Sequence, residues 1–164
     1  MLPEPTFVDV IRGYADERGQ QVAAIFLERG ERVGGRISYA ELDLAARTIA
    51  GALVDAGFAG KPVLLDVPES LDFLRCFLGC LYAGSFAVPV PSVRQRRMQL
   101  RVRSILVDAR PACLLASGAE VETFRREFDS PLPCLSVAEA LSAGVSSRNS
   151  WSSEEFAWTR STCS

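Results

Sequence analysis

The sequence predicts an α/β fold with a three-layer αβα arrangement and a partly parallel sheet, and three observations support this prediction. Helical and strand-like patterns alternate along most of the chain. Val63–Val67 is a short, almost uninterrupted apolar run, as expected for a strand that is buried on both faces of a parallel sheet. Leu71–Ala83 is a helical segment that is apolar on nearly every side, which indicates that it is buried between the sheet and another layer.

The first 57 residues predict a helix, a hairpin and a second helix. Thr6 and Asp9 have the spacing of a capping box, and the amphipathic pattern that follows is expected to end near Gly19. A strand is expected at Val22–Leu27, and a hairpin with a flexible glycine-rich tip is expected to lead into a second strand at Arg36–Ser38. That tip contains Gly30, Gly34 and Gly35.

A second helix is expected to begin after Ser38, which forms a capping box with Glu41, and to stop at Gly57. Its apolar face carries several alanines, which suggests close packing. After the strand at Val63–Val67, Ser70 is the predicted N-cap of the buried helix, and Phe86–Val90 is the next strand.

The remaining chain continues the alternation up to residue 143. An apolar stripe predicts a helix through the basic segment Pro91–Arg103 and beyond; its members are Met98, Val102, Ile105, Leu106 and Ala109. The elements expected next are a strand at Ala112–Ala116, a helix at Ala119–Phe128, a weak strand at Cys134–Val137 and a short helix at Ala138–Ala143. Residues 145–164 are rich in serine and lack periodicity, so they are expected to form a loop or disordered tail after a domain portion at 1–144.

Composition excludes several classes of protein. The net charge of −2 and a pI near 5.3 give no general reason to expect nucleic-acid binding, although 17 of the 18 basic residues are arginine. No signal peptide or membrane-spanning segment is predicted, so a cytoplasmic protein is expected. The five cysteines are an odd number, and Cys76 and Cys80 are expected to be buried core residues rather than two metal ligands, because histidine is absent and no second pair follows.

No catalytic constellation can be built from these residues. Walker-type and dinucleotide-binding glycine patterns are missing, and without histidine no Ser-His or Cys-His pair is available. Asp66, Glu69 and Asp72 follow the buried strand, where α/β proteins bind ligands, but we interpret them as N-cap and first-turn charges of the next helix rather than as an acid/base site.

The basic segment has two interpretations. Its arginines fall mainly opposite the apolar stripe and are interpreted as a solvated face; they are Arg94, Arg96, Arg97, Arg101 and Arg103. The functional alternative is an anion contact, for instance with the phosphate of a nucleotide or of a carrier-protein arm. From the residues alone, the chain is an α/β domain or part of one, and its function cannot be assigned.

The most specific stretch of the chain is Phe77-Leu-Gly-Cys-Leu-Tyr-Ala-Gly84 followed by Ala87-Val-Pro-Val-Pro91. Other distinctive stretches are Arg36–Leu42, Leu53–Gly57, Val63–Pro68, Ile105–Ala109 and Cys113–Ala116. Together these stretches resemble the N-terminal part of acyl-adenylate-forming enzymes, in particular the fatty acyl-AMP ligases. The resemblance covers roughly the first 140 residues.

This resemblance implies the large N-terminal domain of an adenylate-forming enzyme and a reaction of a fatty acid with ATP. The products are an acyl-adenylate and pyrophosphate, and the acyl group then passes to a carrier protein in lipid or polyketide biosynthesis. ATP and Mg²⁺ serve the full-length family, but the family's phosphate loop, nucleotide contacts and catalytic lysine match no position here. We therefore assign no catalytic, cofactor-binding or metal-binding residue, and we expect the chain alone to be inactive.

The last residues depart from the family pattern. Trp158–Ser164 stands where the family has a segment that leads into its Thr-Ser-Gly-Ser-Thr phosphate loop. Codons can be chosen for these seven residues such that the reading frame shifted by one base encodes Asp-Pro-Val-Tyr-Met-Gln, which resembles the family's segment. We therefore hypothesise a frameshifted, truncated gene. The alternatives are a binding or interaction module, a half of a split enzyme that pairs with a complementing chain, and a nucleotide- or carrier-binding domain that uses the Arg94–Arg103 face.

Overall fold

The computed structural model describes residues 5–68 and 70–143 and contains the predicted alternation of helices and strands. The chain begins with helix α1, hairpin strands β1 and β2, and helix α2; their bounds are Phe7–Arg18, Val22–Glu28, Arg32–Ser38 and Tyr39–Asp55. The central unit is β3, α3 and β4, with bounds Pro62–Asp66, Leu71–Tyr82 and Phe86–Pro89. One 3₁₀ turn, Arg96–Met98, then precedes α4, β5, α5, β6 and α6, with bounds Gln99–Ala109, Cys113–Ala116, Gly118–Phe128, Cys134–Ser136 and Val137–Ala143.

Four strands form a parallel sheet with the order β4-β3-β5-β6. Val63 of β3 lies between Ala87 of β4 and Cys113 of β5, and β5 pairs in parallel with β6. The hairpin β1-β2 is a separate, antiparallel sheet. The predicted α/β class is therefore confirmed, and the parallel pairings are confined to the central sheet.

Helices cover both faces of the parallel sheet. Side chains that alternate along β3 point to opposite sides: Val63 and Leu65 join one apolar cluster, while Leu64 joins the other. The first cluster includes residues of α1, α2, α3 and α6, and the second includes residues of α4 and α5. This arrangement is the predicted three-layer architecture, and among the described strands β4 and β6 lie at the two edges of the sheet.

Helix α3 is the buried helix that the sequence predicts, since none of its residues is fully exposed. It packs closely on α2 at Gly79. A Cβ atom at Gly79 would lie 2.5 Å from Cγ2 of Ile49, so only glycine permits this approach. Ser70 caps the helix by accepting a hydrogen bond from the backbone N–H of Asp72.

The hairpin differs from the prediction. Gly34 and Gly35 lie inside β2, and the connection between the strands is Arg29–Glu31. Phe26 pairs with Gly35 while Leu27 pairs with Val33, so Gly34 is an extra residue in a bulge. A Cβ atom there would lie 2.6 Å from Cγ of Glu28, so a larger residue at this position would require the exposed Glu28 side chain to move.

The other predicted elements are present with bounds that shift by at most three residues, except that the helix predicted through the basic segment begins only at Gln99, so Arg94 lies in the connection before it and not on a helix face. Both capping boxes form, Thr6 with Asp9 and Ser38 with Glu41. No helix within residues 5–68 and 70–143 is both long and apolar enough to cross a membrane. The predicted serine-rich tail, 145–164, lies outside the described residues.

Candidate functional site

Asp66 ends strand β3 at the carboxyl edge of the sheet and is only 2% exposed. Its Oδ2 accepts a hydrogen bond from the backbone N–H of Val93 at 3.2 Å. Burial raises the pKa of Asp66 to about 6; the nearby Glu120 carboxylate adds to this rise, whereas the hydrogen bond and Arg94 oppose it. A buried carboxylate thus holds the connection between β4 and α4 onto the sheet.

Arg94, the next residue of that connection, forms an ion pair with Glu120 in the first turn of α5. Nε of Arg94 lies 3.1 Å from Oε1 of Glu120, whose side chain is buried, while the arginine side chain remains half exposed. Because Val93 and Arg94 are both held by acidic side chains, the connection is fixed at two consecutive residues.

The predicted acidic cluster separates in the structure. Asp72 lies in the first turn of α3 and pairs with Arg75 at 2.6 Å, which confirms its interpretation as a helix-start charge. Asp66 is instead buried beneath the Val93 connection, so the interpretation as a helix charge is wrong for this residue. Glu69 lies outside the described residues. In the sequence, the only indication that Asp66 is buried was its position as a single acidic residue at the end of an apolar strand.

The five arginines of the basic segment are all exposed, as predicted, but they have different surroundings. Arg94 pairs with Glu120, and Nη2 of Arg103 donates to the backbone carbonyl of Glu127 at 2.9 Å. The Arg103 guanidinium also lies 5.1 Å from the centre of the Phe128 ring. Two of the predicted solvated arginines therefore attach the β4–α4 segment to α5.

Three cysteines are buried in the core: Cys76 and Cys80, as the sequence predicts, and Cys113. Burial raises the pKa of the Cys76 and Cys113 thiols to about 12 and that of Cys80 further. Across the described part of the chain, no group of three or more histidine, cysteine or acidic residues could hold a metal ion. Cys76 and Cys80 are core side chains of α3.

The residues described at this edge of the sheet do not fit the phosphate groups of ATP. Asp66 and Glu120 are buried carboxylates that would repel phosphate groups, and the adjacent Arg94 is already paired. This edge of the sheet can hold a connecting segment in place, but residues 5–68 and 70–143 contain no glycine-rich phosphate-binding loop.

Comparison with known proteins identifies the family. The sequence pattern of the AMP-binding enzymes matches residues 12–161. The chain belongs to the AMP-binding enzyme family. Its relatives include the medium-chain-fatty-acid acyl-carrier-protein ligase JamA of Moorena producens, which is 34% identical over 113 residues. Another is the long-chain-fatty-acid AMP ligase FadD32 of Mycolicibacterium smegmatis, 27% identical over 121 residues.

Solved structures of this AMP-binding family have the same fold. A fatty acid AMP ligase from Legionella pneumophila matches 85% of the chain with a TM-score of 0.75 and 27% identity. A fatty acyl-adenylate ligase from L. pneumophila, solved in complex with acyl adenylate and pyrophosphate, matches 85% with a TM-score of 0.73 and 29% identity. The alignment with JamA covers 67% of this chain and the alignment with FadD32 covers 72%, but each covers only 19% of the relative's own length. The two structural matches likewise cover only 24% of each solved chain. The chain thus corresponds to a fragment of the AMP-binding domain, with the α/β architecture of its N-terminal part.

Proposed function

We propose that this chain forms the N-terminal part of a fatty acyl-AMP ligase. The reaction joins a fatty acid to the α-phosphate of ATP, forming an acyl-adenylate and releasing pyrophosphate. The observation that carries the proposal is the likeness to a ligase solved with acyl adenylate and pyrophosphate, which extends over 85% of the chain at 29% identity. An unrelated interaction module is not favoured, because the named relatives and these two solved structures are ligases.

Within such an enzyme, this chain supplies framework rather than chemistry. Its parallel sheet and the α2–α3 pair form a packed core, and its described residues contain no group of three or more histidine, cysteine or acidic residues that could hold a metal ion. We propose that the chain by itself is inactive and that ATP with Mg²⁺ binds to parts of the enzyme outside this chain. Because ATP is a substrate, we propose a cytoplasmic location.

The acyl group is then passed to an acyl carrier protein. This step is supported by the name of the Moorena producens relative, an acyl-carrier-protein ligase that is 34% identical over 113 residues. The fatty acid and the carrier protein are thus the proposed substrate and partner of the complete enzyme.

A chimera tests the framework role directly. Residues 1–143 replace the matching segment of the L. pneumophila fatty acid AMP ligase, and ATP–pyrophosphate exchange is measured with dodecanoate and palmitate. Exchange by the chimera supports the proposal, because it requires the segment to fold and pack as its counterpart does. A folded chimera without exchange contradicts it, and exchange by the 164-residue chain alone contradicts the inactivity of that chain.

The source of the remaining enzyme is tested on the nucleotide sequence. A Thr-Ser-Gly-Ser-Thr segment in the shifted frame after Ser164 supports the frameshift hypothesis. A separate reading frame that begins near that segment, and whose product restores exchange when mixed with this chain, supports a complementing chain.

A further inference from the structure

Two buried carboxylates hold consecutive residues of the connection between β4 and α4. Asp66 accepts a hydrogen bond from the backbone N–H of Val93, whose side chain is itself fully buried. Glu120 is only 4% exposed, and its Oε1 lies 3.1 Å from Nε of Arg94. One carboxylate ends β3 and the other lies in the first turn of α5, so the connection is attached to two separate elements. We define the latch as Asp66, Val93, Arg94 and Glu120.

The latch contains two acidic groups and one cation. Asp66 lies on the same side of the sheet as Leu64, the side that α4 and α5 cover. Strands β4 and β5, which flank β3, carry no charged residue, and every other charged residue of α4 and α5 is at least partly exposed. The charges that act on Asp66 are those of Glu120, which opposes its ionisation, and of Arg94, which favours it. An ionised Asp66 is therefore poorly compensated while the latch is closed.

Opening of the latch would give Asp66 access to water. Loss of water costs the carboxylate more free energy than the hydrogen bond from Val93 and the charge of Arg94 return, and the pKa of Asp66 is accordingly about 6 rather than about 3.9. The closed latch thus binds the proton more tightly than any state in which Asp66 is hydrated. Because proton binding and closing are linked, a rise in pH between these two values favours opening.

We propose that the connection between β4 and α4 is a proton-sensitive latch, which stays closed while Asp66 is protonated and opens locally more often once Asp66 is ionised. In the open state Val93 and Arg94 leave their acidic partners while the sheet remains folded. The latch belongs to the fold of this chain and does not depend on the proposed ligase reaction. From the two pKa values, the ratio of open to closed molecules should rise about tenfold between pH 5 and pH 7.5.

Amide hydrogen exchange of the 164-residue chain measures this opening at Val93. After correction for the intrinsic exchange rate at each pH, the protection factor of Val93 should fall about tenfold between pH 5 and pH 7.5. The reference is the amide of Leu114, which donates to the backbone carbonyl of Pro133 between β5 and β6. Local opening requires Val93 to be less protected than Leu114 and insensitive to low urea concentrations that reduce the protection of Leu114.

Two variants separate the ionisation of Asp66 from other effects of pH. Asp66→Asn keeps an acceptor oxygen for Val93 but cannot ionise, so the protection factor of Val93 should change by less than about twofold over the same range. Asp108→Asn removes an exposed carboxylate of α4 and should follow the wild type.

The inference is overturned if the protection factor of Val93 does not fall in the wild type, or if it falls equally in Asp66→Asn. Equal protection of Val93 and Leu114 with the same dependence on urea also overturns it, because the connection would then be released only by global unfolding. A Val93 amide without protection at pH 5 would contradict the closed latch itself.

Discussion

The backbone N–H of Val93 donates a hydrogen bond to the buried carboxylate of Asp66 at 3.2 Å. This bond joins the end of β3 to a connection 27 residues later. The ionisable side chain of Asp66 has little access to water, since the residue is only 2% exposed.

The first prediction concerns Asp66→Asn. Burial raises the pKa of Asp66 to about 6, so the folded state binds the proton more tightly than the unfolded chain does. Protonation of Asp66 therefore adds to the free energy of unfolding. This contribution is complete below the pKa of aspartate in the unfolded chain, about 3.9, and is lost as the pH rises through the folded-state pKa of about 6. We expect Asp66→Asn to be more stable than wild type at pH 7 by about 1–2 kcal/mol, and we expect the difference to shrink as the pH falls through 6 and to disappear only below about pH 4.

Urea unfolding between pH 4.5 and 7.5 measures this difference. The exposed Asp108→Asn is the matched control and should follow the wild type at each pH. The raised pKa of Asp66 is contradicted if the free energy of unfolding of the wild type, compared with that of Asp66→Asn, does not fall between pH 5 and pH 7.

The second prediction concerns the contact between α2 and α3. Gly79→Ala places a Cβ atom 2.5 Å from Cγ2 of Ile49, so we expect the free energy of unfolding to fall by about 1–3 kcal/mol through overpacking. Ile49→Ala in the same chain should remove part of the clash, and the double variant should be more stable than the sum of the single changes predicts. Gly118→Ala, with no atom within 4 Å of its Cβ, is the control. Additive effects in thermal unfolding would contradict the contact.

The third prediction concerns a buried polar contact between the same two helices. The Tyr82 hydroxyl donates to Oδ1 of Asp43 at 2.8 Å, and Nε of Arg47 lies 2.8 Å from Oδ2. Tyr82→Phe removes one donor from a carboxylate that is largely buried, so we expect a loss of about 1–3 kcal/mol. The control is Tyr14→Phe, and both variants are compared by urea unfolding at pH 7. Equal stability of Tyr82→Phe and wild type would show that this hydrogen bond contributes nothing.

The fourth prediction concerns thiol reactivity. Burial raises the pKa of Cys76, Cys80 and Cys113, so these thiols should not react with Ellman's reagent at pH 8 until the protein unfolds. The experiment uses Cys163→Ser, in which Cys134, half-buried, is the only remaining thiol expected to react in the folded state. Rapid modification of two or more thiols in folded Cys163→Ser would contradict the described core.

The candidate site shows where sequence reasoning succeeded and failed. Asp72 was correctly interpreted because N-cap and first-turn preferences depend on neighbours within one helical turn. Asp66 was misinterpreted because its partners, Val93, Arg94 and Glu120, lie 27 to 54 residues away along the chain. The two glycines inside β2 were misplaced for a related reason, since the bulge is produced by pairing with β1.

The sequence by itself determined the order of the elements, the capping boxes, the buried helix α3 and the family resemblance. These features follow from apolar periodicity and from short-range hydrogen bonds, which are fixed by residues close together in the chain. Only the tertiary structure decided that Asp66 is buried and that Arg94 and Arg103 bind α5 while Arg97 and Arg101 do not. The physical reason is that burial and ion pairing depend on which distant segments the sheet brings together.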